Sequence, residues 1–299
     1  MEQLRELAGL IARHAPEDGI CESPVPRLAL IRSSTSTLPQ HGVYEPALCI
    51  VAQGSKRVMV GDRVYIYDPA TFLIVSVDLP VMGHVLEASE EEPYLCLRLN
   101  LDLQVLSELM LSHGGECPGV PGTTPGLALS RMTPGLLDSA VRLLRLLDTP
   151  TDIPALVPLA EREILYRLLT GEQGGMVRHI ATAESRLSQI SRAIAWIKDH
   201  YASPFNVERV AAEAGMSASS FHHHFKAITS MSPLQYRTHM RLQEARRLMV
   251  AEALDAASAG FRVGYESPSQ FSRDYKRVFG APPLRHAVEL RTSPEYVMA

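Results

Sequence analysis

The spacing of apolar residues changes twice along the chain. The first fourteen residues, MEQLRELAGLIARH, repeat apolar side chains every three or four positions, which predicts an amphipathic helix. From Leu28 the pattern becomes short runs rich in β-branched residues: LALIRS, ALCIVAQG, KRVMV, RVYIYD, FLIVSVD, HVLEAS and YLCLRLNL, ending near Leu101. Turn residues such as Gly61-Asp62 and Asp68-Pro69 separate them, and RVMVGDRVYIY reads as a hairpin closed by a tight Gly-Asp turn. Short strands at this spacing, with no helical repeat between them, predict a small antiparallel barrel or jelly roll. The helical period returns in LQVLSELMLS, after Asp102. HGGECPGVPGTTPG then reads as a flexible loop. Leucine-rich amphipathic stretches follow at 134–148 and 154–171, able to pack on the barrel, on each other or on a second subunit. GEQGG, at 171–175, reads as a hinge, and SRLSQISRAIAWIKDHY opens another helical region. The domain boundary falls near residue 180.

Beyond it one pattern occurs twice. GMSASSFHHHFKAITS begins at Gly215 and GYESPSQFSRDYKRVFG at Gly264. Each has a glycine, an apolar residue, a serine-rich cluster, and two aromatics four apart with a lysine after the second. In the first copy Val210, Ala211 and Ala214 share one face of a short helix. Gly215 supplies a turn with positive φ, and Ser217 caps the next helix. In the second, Gly260 takes the place of Ala211, Gly264 makes the turn, and Ser267 caps a helix with Pro268 in its first turn. A small residue four before the turn glycine lets two helices cross closely, as a helix-turn-helix requires. Between the copies SPLQYRTHMRLQEARRLMV reads as a helix of about 18 residues, roughly 27 Å long. That length could hold two recognition helices near the ~34 Å separation of successive major grooves.

Charge supports the division. The net charge of −4 hides 15 Lys and Arg against 10 Asp and Glu from Arg186 onward, and 14 against 23 before it. The basic part suits phosphate; the acidic part does not. With 46% hydrophobic and 21% charged residues the composition is that of an ordinary soluble protein. The apolar runs ALCIVA and TFLIVSV fall far short of the ~20 residues of a membrane span. The first helix lacks the basic start of a signal peptide. Cys21, Cys49, Cys96 and Cys117 have no CxxC spacing, so neither a zinc ribbon nor a disulfide framework is indicated, and a cytoplasmic location is expected.

The tandem units, with GYESPSQFSRDYKRVFG followed closely by Pro282-Pro283, resemble the C-terminal DNA-binding domain of the AraC family of transcriptional regulators. HGVYEPALCIVAQGSKRVMVGDRVYIYD, with VSVDLPVMGHVLEAS, is similar to the N-terminal domain of one large subgroup of that family. Together they cover nearly the whole chain. The resemblance implies an α+β protein. Residues 1–180 would form a cupin-like antiparallel β-barrel with flanking helices, serving as effector sensor and as a packing or dimerisation unit. Residues 181–299 would form an all-α DNA-binding domain with two helix-turn-helix motifs joined by a long helix. It implies a regulator and not an enzyme, with no cofactor. The implied partners are double-stranded promoter DNA, RNA polymerase and a small-molecule effector; monomer and homodimer both stay open.

At 100° per residue, Ala218, Phe221, Phe225 and Ile228 of the first recognition helix face the core. Ser219, His223 and Lys226 lie opposite, with Ser220 and His222 on the flanks. In the second, Phe271 and Tyr275 face in; Ser269, Arg273, Lys276 and Arg277 face out, and Gln270 lies at an edge. Arg273 is the first candidate for base reading, since a guanidinium can bond guanine O6 and N7 together. Lys276 and Arg277 are expected on phosphates. Family members often carry arginine where His223 stands, which leaves the base preference of that helix open. The run His222–His224 cannot converge on one metal ion, because adjacent helical residues point 100° apart. In the barrel half His41, Tyr44, Glu45 and His84 are the candidate effector-binding residues. Cupin enzymes hold metal with a compact His-x-His, a glutamate and a later histidine; HGVYEPALC has one histidine before its glutamate, so no metal is assigned. The rival readings are a cupin-type metalloenzyme, a ligand-independent regulator, and an electrophile or redox sensor using Cys49 or Cys96. Both cysteines sit in apolar strand patterns and read first as core, because a reactive thiol needs a lowered pKa and exposure.

Overall fold

In a computed structural model of the protein, residues 2–112, 125–182 and 185–292 are described. The loop expected at 113–126 lies outside these residues up to position 124, and Cys117 with it. Helix α1 (Glu2–His14) precedes β1 (Gly19–Glu22), β2 (Leu28–Ser33), β3 (Gln40–Tyr44), β4 (Ala47–Gln53), β5 (Ser55–Val60), β6 (Arg63–Tyr67), β7 (Thr71–Val75), β8 (Leu79–Glu87) and β9 (Tyr94–Asn100). After α2 (Leu103–Ser112) comes β10 (Leu127–Arg131), then α3 (Pro134–Arg145) and α4 (Ile153–Thr170). The strands form a six-stranded sheet, β1-β2-β9-β4-β7-β10, and a four-stranded sheet, β3-β8-β5-β6, with every pairing antiparallel. Alternation fills the space between them. On β5, Lys56, Val58 and Val60 are buried while Arg57 and Met59 are half-exposed. The Gly61-Asp62 turn joins β5 to β6 with Gly61 at φ +57°, the left-handed backbone that favours glycine.

Helix α1 packs on β2, β4 and β9, and α3 and α4 pack on each other and on α1 and α2. The leucine-rich stretches thus bury much of their apolar faces within this chain, although Leu156 and Leu159 on α4 remain exposed. The glycine-rich segment read as a hinge makes a turn at Gly171. It then starts α5 (Gly174–Ala181), which packs against α2, α4 and the following α6 (Arg186–His200). The remaining helices are α7 (Val207–Glu213), α8 (Ala218–Thr229), α9 (Pro233–Ala251), α10 (Ala256–Arg262), α11 (Pro268–Phe279) and α12 (Pro283–Thr292).

Among the described residues two hydrophobic cores organise the fold. The larger runs from the barrel through α1–α6 into α7 and α8, and reaches Tyr236 on α9. The smaller gathers Leu242, Leu248, Met249, Phe271 and Tyr275 with Ala259 and Ala287. The first helix-turn-helix therefore shares its core with the N-terminal half, while the second packs on its own. Among the described residues no helix is long and apolar enough to cross a membrane.

Candidate nucleic-acid interface

Each recognition helix is set by a cap, a turn glycine and an aromatic pair. Asn206 Oδ1 accepts from Arg209 N at 2.7 Å to start α7. Gly215 turns the chain at φ +68°, and Ser217 Oγ accepts from Ser220 N to start α8. Phe221 and Phe225 are fully buried with ring centroids 5.3 Å apart, and Phe225 meets Tyr236 at 5.4 Å. The second unit repeats this. The Asp255 carboxylate accepts from Ala257 N and Ser258 N to start α10. Its pKa is held below the ordinary value by the Ser258 hydroxyl and by these backbone bonds. Gly264 turns at φ +90°, Ser267 caps α11, and Phe271 and Tyr275 are fully buried. The approach is close at both glycines: an added Cβ would stand 2.3 Å from Ala202 O at Gly264 and 2.9 Å from Phe271 Cγ at Gly260.

With the aromatics turned in, the polar residues face out. Ser219, His222, His223 and Lys226 on α8 are exposed, and Ser220 is half-buried. On α11, Ser269, Gln270, Arg273, Lys276 and Arg277 are exposed, and Arg277 pairs with Asp274 at 2.7 Å. Helix α9 joins the units over 19 residues, opened by a reciprocal cap between Ser232 and Gln235. Arg237 and Arg241 of α9 donate to the carbonyls of Tyr201, Ala202 and Ser203, fastening α9 to the C-terminal end of α6. Burial, with the neighbouring Arg241, pushes Arg237 down to about 10, which leaves it charged at neutral pH. Sequence reasoning missed these two clamps, though their spacing of four on one helix face signals them.

The barrel touches both reading units. Asp78 pairs with Lys198 on α6 and accepts from the Tyr236 hydroxyl through its carbonyl at 2.9 Å. Gly126 N donates to Ile228 O at the end of α8 at 2.9 Å. A cleft of about 570 Å³ has Asp62 and Arg63 of the β5–β6 turn on one wall and His222, His223 and Lys226 on the other. A second cleft, of about 630 Å³, sets Gln40, His41 and Met82 against Arg246, Arg277 and Phe279. Arg246 donates to His41 O at 2.7 Å, and the His41 ring meets Phe279 edge-on at 5.1 Å. Ser219, Ser220, Ser269, Gln270, Arg273 and Lys276 line neither cleft.

Inside the barrel a cavity of about 280 Å³ is lined by Tyr44 and Glu45 and by Cys49, Cys96, Lys56 and Arg98, among others. His41 and His84 are not among its lining residues. His41 is at the cleft against α9 and α11, and His84 has the opposite strand parity to the buried Gly83 and Val85. Burial pushes the Cys49 thiol up to about 12 and raises Cys96 as well, the opposite of what a reactive thiolate needs. Among the described residues no three His, Cys, Asp or Glu side chains are grouped to hold a metal ion.

The family model described as the AraC-type transcriptional regulator N-terminus matches residues 24–176. The chain belongs to that family. A helix-turn-helix domain model matches residues 210–287, which spans both units of this AraC-type chain. The HTH-type transcriptional activator RhaS of Escherichia coli O1:K1 / APEC is 28% identical over 138 residues, covering 46% of this chain and 48% of RhaS. The match spans about half the length of that curated relative. Two crystal structures of ToxT share the fold, both at 10% identity. ToxT of Vibrio cholerae strain SCE256 with a bound unsaturated fatty acid has a TM-score of 0.56, covering 86% of this chain and 94% of that one. ToxT of Vibrio cholerae O395 bound to (E)-4-(8-methylnaphthalen-1-yl)but-3-enoic acid has a TM-score of 0.57, covering 87% and 97%.

Proposed function

We propose that this AraC-type chain is a sequence-specific DNA-binding transcriptional regulator. Its two recognition helices would enter successive major grooves of double-stranded promoter DNA, under the control of a small molecule held in the barrel. The observation that carries this reading is the repeated construction of α8 and α11: matching caps, turn glycines and buried aromatics turn a polar face outward twice, across one 19-residue helix. At 1.5 Å per residue that helix is about 28 Å long, on the scale of the groove repeat. Arg273 reads a base edge, with Ser269, Gln270, Ser219, Ser220, His222 and His223 as further contacts; Lys226, Lys276 and Arg277 meet phosphates. Residues 181–299 are the DNA-binding part and residues 1–180 the sensor. The chain acts on RNA polymerase at the promoter, in the cytoplasm, and catalyses no reaction.

The test is titration of the full chain with its own upstream DNA at two salt concentrations. Affinity should fall steeply with salt, because each neutralised phosphate releases counterions. No complex at low salt would refute the reading.

A further inference from the structure

The barrel cavity has an unusual charge arrangement. Lys56 is only 8% exposed, yet its side chain enters the cavity from β5. Its ammonium lies 5.6 Å from the Tyr44 ring centroid and hydrogen-bonds the Tyr44 oxygen. Burial works to lower its pKa, Tyr44, Cys96 and Cys49 work to raise it, and the net shift is upward. The groups acting on it are Tyr44, Cys96 and Cys49, with no carboxylate among them. From the opposite sheet Arg98 reaches the same cavity beside Cys49, its partner in register. Arg98 Nε is buried without a hydrogen-bond partner, and its outer nitrogen makes a long contact of 3.4 Å to Glu22, which is 73% exposed. Glu45 also borders the cavity but is exposed to water. The rest of the wall is largely apolar, with Ile20, Ile31, Val43, Val75 and the Tyr67 ring.

Buried charges are ordinarily paired with an opposite charge, and here the polar partners of Lys56 are a phenol and two thiols while Arg98 Nε has no hydrogen-bond partner. A fold keeps an arrangement of this kind where a ligand completes it.

We infer that the barrel cavity is a binding site for a small organic monocarboxylate with an apolar or aromatic body, its carboxylate held between Lys56 and Arg98 and the Tyr44 hydroxyl. The inference rests on the reading of the barrel as a sensor and names the chemical class it senses. At water's share of about 30 Å³ each, the cavity accommodates on the order of nine heavy atoms, the size of benzoate or a medium-chain acid. Charge-assisted hydrogen bonds in a largely dry pocket then set the preference for the anion over its neutral analogue.

The experiment measures binding of benzoate, hexanoate, benzamide and hexanamide to the full chain by calorimetry and thermal shift. Each acid should bind at least about tenfold tighter than its amide, the worth of one hydrogen bond to a charged group. Lys56→Met should abolish that preference while the ligand-free protein melts at the same or a higher temperature. Lys56→Arg should retain part of the preference. A merely structural lysine would give the reverse, a lower melting temperature in Lys56→Met with unchanged ligand preference. Acid and amide binding equally, or neither acid binding, overturns the anion site. A neutral compound that binds the cavity and alters DNA affinity would overturn the anion site and leave the sensor reading intact. Tight acid binding with no effect on DNA would support the anion site and remove the sensor reading.

Discussion

Gly260→Ala isolates the packing that presents the second recognition helix. The added methyl would stand 2.9 Å from Phe271 Cγ, 3.1 Å from Cδ1 and 3.3 Å from Cβ. Phe271 is fully buried and rings with Tyr265 and Tyr275 at 5.4 and 5.6 Å, so it yields only if α11 moves. Overpacking of this kind costs about 1–3 kcal/mol. Alanine's advantage over glycine inside a helix returns about 1 kcal/mol. The net expectation is a loss of about 0–2 kcal/mol, larger for Gly260→Val. Gly9 supplies the control: it lies in α1, is exposed, and an added Cβ meets nothing within 4 Å. Gly9→Ala should therefore stabilise by roughly 0.5–1 kcal/mol. Because the second unit packs on its own core, the damage at Gly260 should appear first as faster amide exchange in α10 and α11. Urea unfolding with hydrogen exchange on both variants decides the matter. If Gly260→Ala stabilises as much as Gly9→Ala, the close helix crossing does not control this unit.

Arg273→Ala should relax sequence preference and cost about 1–3 kcal/mol, the worth of a bidentate base contact, whereas Lys276→Ala should weaken all sequences alike. Uniform loss across operator variants in the arginine mutant would reverse these roles. Acid should loosen the joint between the barrel and α9. His41 is held down to about 4 by burial, with Arg246, His239 and His286 adding to it, against about 6.5 in the unfolded chain. The unfolded chain thus takes up its proton first. Stability present above pH 6.5 is lost as pH falls toward 4, by at most about 3 kcal/mol. His41→Phe should remove that part of the acid sensitivity, leaving unfolding midpoints flatter between pH 6.5 and 4; an unchanged profile would refute it.

What the sequence made legible was whatever repeats over short distances. The alternating runs marked the longer strands, and glycine, serine and aromatic spacing marked both reading helices. Strand β1 escaped because it is only four residues long, and β3 and β10 because polar residues interrupt the run in QHGVY and LALSR. Helix α5 was hidden by the Gly-Gly at its start, which reads as a hinge although Gly174 is buried. Of the residues lining the barrel cavity, Tyr44 and Glu45 were among the sequence candidates and Lys56 was not, yet parity marked it as inward-facing: Lys56 shares a face with Val58 and Val60. The same parity placed His84 on the other face from Val85. That Arg98 and Lys56 share one cavity depends on strands far apart in sequence, and no local pattern reports it.

Strand β5 ties that cavity to the proposed DNA-reading surface. It carries Lys56 into the barrel and ends in the Gly61 turn, where an added Cβ would stand 2.9 Å from Ser230 Cβ at the end of α8. The first helix-turn-helix shares the barrel's core and the second does not. A ligand drawn toward Lys56 would therefore act on the strand that braces the first unit, while the second meets the barrel through Arg246 of α9 and His41. Such a switch requires the ligand to favour one arrangement over the other, a coupling of ~1–3 kcal/mol, or about 5–150-fold in affinity. Thermodynamic linkage makes the prediction reciprocal. A carboxylate that binds the barrel should change operator affinity, and operator DNA should change carboxylate affinity by the same factor. Both are measurable by calorimetry on the full chain. Carboxylate binding that is indifferent to operator DNA would show that β5 transmits nothing from the cavity to α8.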